Sequence, residues 1–211
     1  MADLIFDIDG TIWDTTDIVA ESWNRAARES GLKEENCRIT GDILKKEFGK
    51  PMDVIAEDLF GNLNLGKETI ERIMELCCDY EQHDIEDNDK NLTYDGIISV
   101  MRELSKNHKL FIVSNCQSGY IELVMKKNGI EDIISDFVCF GDNGLQKGEN
   151  IKLIMDRNNL SDAYYVGDTM GDFLSTREAG AKFIFASYGF GDVPDPDFII
   201  NSPNELKDIL I

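Results

Sequence analysis

Short apolar runs alternate with segments of helical periodicity along most of the chain. Residues 4–8 (LIFDI), 109–115 (KLFIVSN), 137–140 (FVCF), 163–168 (AYYVGD) and 182–187 (KFIFAS) are apolar at successive positions and close on polar ones. Continuous rather than alternating apolarity predicts strands of a parallel sheet covered on both faces. The intervening segments 96–107, 117–128, 148–159 and 171–179 read as helices. In the first of these, Ile97, Val100, Met101 and Leu104 recur on one helical face. Residues 198–200 (FII) predict a last edge strand, and a C-terminal helix is expected from Asn204. Strand–helix alternation of this kind predicts an α/β fold with a doubly wound, Rossmann-like parallel sheet.

One interval breaks the alternation. Between Thr15 and Asn91 the pattern is helical throughout, punctuated by Gly31, Gly41, Gly49-Lys50-Pro51 and Gly61. A single crossover helix needs far fewer residues. The expected organisation is therefore a core of residues 1–14 and 91–211 with residues 15–90 inserted as an α-helical subdomain. The acidic run Asp84–Asp89 is expected to be a solvated linker back to the sheet.

Charge narrows the partners. With 41 acidic against 21 basic residues the formal net charge is -20, which repels nucleic acid and anionic lipid surfaces. No apolar stretch approaches bilayer-spanning length, and Asp3, Asp7 and Asp9 interrupt any leader-like run at the start. A cytoplasmic protein is expected. The five cysteines have no zinc-ligand spacing and only His83 and His108 offer imidazole, so reduced, packed thiols are expected rather than a zinc site or disulfides.

Candidate chemistry collects at the carboxyl ends of the expected strands, where parallel sheets bind ligands. The first strand delivers Asp7, Asp9, Gly10 and Thr11, and the second ends at Ser114-Asn115. Lys147 follows the third, and the fourth ends at Gly167-Asp168-Thr169 with Asp172 one turn on. Clustered carboxylates need a positive charge among them, and oxygen ligands suit a hard cation such as Mg2+. Asp7 and Asp168 are the expected carboxylate ligands, with Asp7 as nucleophile toward a screened phosphoryl group. Asp9, two residues along, faces the same way and can shuttle a proton. Ser114 can donate to a phosphoryl oxygen, Lys147 supplies fixed positive charge, and Gly10 permits a sharp turn whose amides would face the phosphate.

The set Asp7-Ile8-Asp9-Gly10-Thr11, Ser114-Asn115, Lys147 and Gly167-Asp168-…-Asp172 resembles, in order, the four motifs of the haloacid dehalogenase superfamily. The resemblance implies an aspartyl-phosphate on Asp7, with Asp9 protonating the leaving group and then activating water. It also implies Mg2+ held by Asp7, the Asp9 backbone carbonyl and Asp168, with Asp172 behind the metal or orienting Lys147. Gly10, Thr11, Ser114, Asn115 and Lys147 would bind the phosphate. The helical insertion resembles the cap of the phosphoglycolate phosphatase-like subfamily. Gly49-Lys50-Pro51 is similar to its substrate-facing loop, which makes Lys50 a substrate-binding candidate, and residues 187–191 (SYGFG) are similar to its closing glycine-rich turn. The implied partner is a small phosphorylated metabolite, and a monomer is expected, with a weak homodimer as the alternative. Thr15, Thr16, Trp23 and Met52 are further cap candidates.

Competing readings fare less well. An EF-hand needs glycine at its sixth position and an acid at its twelfth, whereas DIDG places Gly10 fourth and Ile18 twelfth. Gly189-Phe190-Gly191 is no dinucleotide fingerprint, because Pro194 stands where the third glycine belongs. Within the superfamily, dehalogenases and phosphonatases lack an acid at the position of Asp9. Beta-phosphoglucomutase-like mutases carry a histidine where this chain has Val19, and favour valine where Thr11 stands. The mutase is the alternative enzyme, and a catalytically silent phosphometabolite-binding protein is the alternative from another class. Trp13 and Trp23 read as hinge or core aromatics.

Overall fold

Six parallel strands form one sheet in the order β3-β2-β1-β4-β5-β6. The structure is a computed structural model that describes residues 2–210. Along the chain the elements are β1 (Asp3–Phe6), α1 (Thr16–Glu29), α2 (Gly41–Leu44), α3 (Met52–Phe60), α4 (Lys67–Glu86) and α5 (Ile97–Leu104). They continue with β2 (Leu110–Ser114), α6 (Tyr120–Asn128), β3 (Ile134–Cys139), α7 (Phe140–Asn143), α8 (Lys147–Asn158) and β4 (Ala163–Gly167). The last are α9 (Met170–Ala179), β5 (Lys182–Ala186), β6 (Phe198–Ile200) and α10 (Leu206–Ile209). The chain divides into two units, Met1–Asp14 with Leu92–Ile211, and Thr15–Asn91.

In the sheet unit, β1 is central, with β2 on one side and β4 on the other. The strand order reverses between β1 and β4, and in open parallel sheets such a switch point opens a crevice at the strand ends. Every residue of β2 and β4 is buried, which is why these strands read as unbroken apolar runs. One face packs Ile5, Phe111, Val113, Tyr165, Phe183 and Phe185 with Ile151 and Ile154 of α8. Alternation along the strands sends Leu4, Phe6, Ile112 and Val166 to the opposite face, where they too are fully buried.

The third strand begins earlier than its apolar run. It starts at Ile134, and its first four residues are only partly buried or exposed because β3 is a sheet edge. Asp136 there is held by Arg157 of α8 at 2.5 Å, with a further hydrogen bond from Asn158 at 2.7 Å. The expected linker at Asp84–Asp89 is also corrected. Its first residues belong to α4, which runs to Glu86, because Ile73, Cys77, Glu81 and Ile85 share a buried helical face that carries the helix onward.

The helical unit packs α1 against α4 and α2, and α3 against α4. Trp23 and Phe60 are buried with ring centroids 5.8 Å apart. The buried side-chain amide of Asn24 makes two hydrogen bonds with the Ile39 backbone, at 2.8 and 2.9 Å, which gives both its nitrogen and its oxygen a partner. All five cysteines are free thiols. No helix among the described residues is long and apolar enough to cross a membrane.

Phe111 lies at the centre of the sheet core with no exposure. Phe111→Ala is expected to cost about 3–5 kcal/mol, read as a lower urea midpoint with an unchanged slope.

Candidate active site

Asp7 leaves the end of β1 and is anchored by its own amide, which donates to the Val166 carbonyl of β4 at 2.9 Å. Asp168 follows β4 directly. Asp172 stands in the first turn of α9, where it forms a capping box with Thr169. The side-chain oxygens of these three acids lie within 4.8 Å of one another, and all three are buried.

Lys147, the first residue of α8, enters this group from the other side. Its Nζ lies 3.0 Å from Asp7 Oδ1 and 2.6 Å from Asp172 Oδ1, with the lysine itself 3 % exposed. Helix α8 starts there because Gln146 and Glu149 form a capping box. Lys152, the other lysine of this helix, is exposed. Asp172 Oδ2 accepts from the Asp168 and Thr169 amides and the Thr169 hydroxyl, at 3.2, 2.9 and 2.7 Å. One carboxylate therefore caps the helix and positions the lysine.

Asp168 differs. Its Oδ2 accepts from the Phe190 amide at 2.7 Å, whereas Oδ1 is buried without a hydrogen-bond partner. A buried, orphaned carboxylate oxygen beside two other acids fits a position that a cation could fill. Three carboxylates face one ammonium, and a single divalent cation would balance the excess. The donors are all oxygens, which suits Mg2+. Glycine makes the space: a Cβ on Gly10, whose φ is 84°, would collide with the Asp168 carboxylate, and so would one on Gly189.

Electrostatics follow from burial. Desolvation, followed by repulsion from Asp172, pushes Asp7 up to about 6 despite Lys147. Burial, with Asp172 and Asp7 beside it, raises Asp168 well above the carboxylate range. Burial alone would lower Lys147, but Asp172 and Asp7 outweigh it and hold the lysine above its ordinary value.

The remaining expected site residues fall as follows. Asp9 is half-buried, and its Oδ1 accepts from the Trp13 indole at 3.0 Å and the Tyr120 hydroxyl at 2.8 Å. Ser114 ends β2 and is buried, with Asn115 next. Thr11 is buried, with a side-chain oxygen that has no hydrogen-bond partner. In the turn itself, Gly10 N–H donates to Trp13 O at 2.9 Å and Thr11 N–H to Ile8 O at 3.1 Å. These two close the turn on itself instead of facing outward. Lys50 belongs to the helical unit, where it pairs with Glu47 at 2.6 Å and Asp58 at 2.7 Å. Periodicity missed Tyr120, Phe190 and the polar role of Trp13. For Tyr120 the available signal is a phenol inside an otherwise aliphatic helical stripe, and for Phe190 it is the glycine-rich turn at 187–191.

The chain matches the family model of haloacid dehalogenase-like hydrolases over residues 4–186. It is 24% identical to a phosphoglycolate phosphatase of Vibrio vulnificus, covering 99% of this chain and 95% of that protein. It is 26% identical to an N-acetylmuramic acid 6-phosphate phosphatase of Pseudomonas aeruginosa, with 98% and 93% covered. Among solved structures, one described as a predicted phosphoglycolate phosphatase from Haemophilus somnus superposes with a TM-score of 0.87 at 17% identity, covering 100% of this chain and 98% of that one.

The raised value of Asp7 has a stability consequence in metal-free protein. Because its folded value, about 6, lies above the ordinary aspartate value of 3.8, Asp7's contribution is fully present below about pH 3.8 and lost as pH rises through about 6. Asp7→Asn, which mimics the protonated acid, is therefore expected to match wild type near pH 4 and to be the more stable by pH 7. The difference is of order 2–3 kcal/mol, measured as melting temperature against pH in a chelator.

Proposed function

The chain belongs to the haloacid dehalogenase-like hydrolases, and on that footing we propose that it is a Mg2+-dependent phosphatase of small phosphorylated metabolites. The observation that carries this reading is the buried trio Asp7, Asp168 and Asp172 around Lys147, with the Asp168 Oδ1 orphaned. Asp7, Asp168 and the Asp9 backbone carbonyl would hold the cation, which when bound screens the phosphoryl charge and neutralises the carboxylates. Asp172 has both oxygens engaged by Lys147, Thr169 and the Asp168 amide, which suits it to holding Lys147 in place.

The chain's own residues then divide the reaction. A carboxylate oxygen of Asp7 attacks phosphorus while the bond to the leaving oxygen breaks, and Asp9 delivers its proton to that oxygen. The product alcohol departs and an aspartyl-phosphate remains. Water next attacks phosphorus, Asp9 takes the proton from that water, and the bond to Asp7 breaks to release inorganic phosphate. Lys147 offsets the charge on the equatorial oxygens and keeps Asp7 ionised among its acidic neighbours. Ser114, Asn115 and Thr11 stand at the same strand-end edge as phosphate-binding groups.

The helical unit Thr15–Asn91 is read as a cap that contributes specificity, with Lys50 as a candidate there. The names of the relatives, one a phosphatase of phosphoglycolate and one of N-acetylmuramic acid 6-phosphate, support a small phosphate monoester as substrate class.

The purified protein is expected to hydrolyse p-nitrophenyl phosphate with Mg2+ and to lose turnover in EDTA. Asp7→Asn should abolish activity, and Lys147→Ala should lower kcat by about 100-fold or more. Turnover by Asp7→Asn, or full activity in EDTA, overturns the reading; a screen of phosphorylated metabolites then identifies the substrate.

A further inference from the structure

Two buried aromatic side chains converge on one oxygen of Asp9. The Trp13 indole N–H and the Tyr120 hydroxyl both donate to Oδ1, at 3.0 and 2.8 Å. Their rings meet edge to face, with centroids 5.7 Å apart and an interplanar angle of 71°. Trp13 is fully buried and Tyr120 is 2 % exposed, so neither donor can swing aside without opening the core.

Separate parts of the fold hold the two donors. Trp13 closes the tight turn after β1, where its carbonyl accepts from Gly10 and its amide donates to Ile8 O. It also forms a bridge to Thr93, and the neighbouring Tyr94 amide donates to Ile12 O at 3.0 Å. Tyr120 is the first residue of α6, placed there by Gly119 at φ 90°. The strand-end turn that carries Asp9 is thereby coupled to the helix that follows Ser114.

A carboxylate with two donors on one oxygen has its plane fixed. Rotating that carboxyl out of place would break both hydrogen bonds together. We propose that Tyr120 and Trp13 are positioning residues for the acid–base half of the reaction, locking the Asp9 carboxyl in one orientation for proton transfer to the leaving oxygen. The proposal rests on the phosphatase reading of Asp9. In the step concerned, the bond from phosphorus to the leaving oxygen breaks as the bond to Asp7 forms. The Asp9 proton moves onto the leaving oxygen, and Asp9 is left as the carboxylate that later takes a proton from water.

Misorienting the acid has a selective signature. A leaving group that is stable as an anion departs with little help, whereas a basic one depends on the proton. The test measures kcat/KM, which reports the steps through transfer to Asp7, for p-nitrophenyl, phenyl and p-methoxyphenyl phosphate with Mg2+. Tyr120→Phe keeps the ring and removes only the hydroxyl. It is expected to lower kcat/KM for p-methoxyphenyl phosphate by about tenfold or more, and for p-nitrophenyl phosphate by less than about threefold, with the loss in kcat. Trp13→Phe should steepen the dependence on leaving-group basicity in the same sense, and the double variant should steepen it further. An equal fall on all three esters, or no fall, overturns the proposal, because a merely structural role does not sort substrates by leaving group. Asp9→Asn is the reference: a slope like that of wild type removes the acid role of Asp9 and this inference with it. Absence of wild-type turnover on every ester instead overturns the phosphatase reading itself.

Discussion

Repulsion among three desolvated carboxylates is the constraint on which the catalytic unit is built. Asp7, Asp168 and Asp172 are at most 1 % exposed, and Lys147 offsets only one of their charges. In water such a group would disperse or protonate, and burial pushes in the second direction by raising Asp7 and Asp168. The arrangement persists because the surrounding sheet is rigid and thoroughly apolar, so the site's unfavourable charge is set against core burial elsewhere in the same unit.

Parallel topology makes that concentration possible. All six strands run in one direction, so their carboxyl ends and the helices that follow deliver polar residues to one edge. Asp7 and Asp168 come from adjacent strands at the reversal of strand order. Asp172 and Lys147 come from the first turns of α9 and α8. Helix starts here do two things at once: the residues that satisfy the terminal amides of α9 also orient the ammonium between the acids. A substitution at Asp172 thus disturbs the helix end and the charge balance together.

Much of this was legible in the sequence, for identifiable reasons. Strands β1, β2, β4 and β5 announce themselves because burial on both faces demands unbroken apolarity, and the motif acids stand out because they end those runs. The early part of β3 does not, since an edge strand tolerates Ser135 and Asp136 when α8 supplies Arg157. The helical pattern reaches back to 117, but α6 starts at Tyr120, after a left-handed glycine. Contacts between distant segments were invisible to periodicity, namely the Phe190 amide on Asp168 and the Tyr120 hydroxyl on Asp9. The internal hydrogen bonds of the Gly10 and Thr11 amides, which close this tight turn, were likewise not readable from the sequence pattern.

The helical insertion departs and returns through neighbouring backbone: Asp14 N–H donates to Leu92 O at 3.0 Å, next to the bridge between Trp13 and Thr93. Seen as a chain-statistics problem, that stapled pair of crossings makes everything between them one long loop with its ends already joined. The entropy of closing such a loop rises only by roughly 0.6 kcal/mol for each doubling of its length. A change in the length of the insertion therefore costs the sheet little in closure entropy.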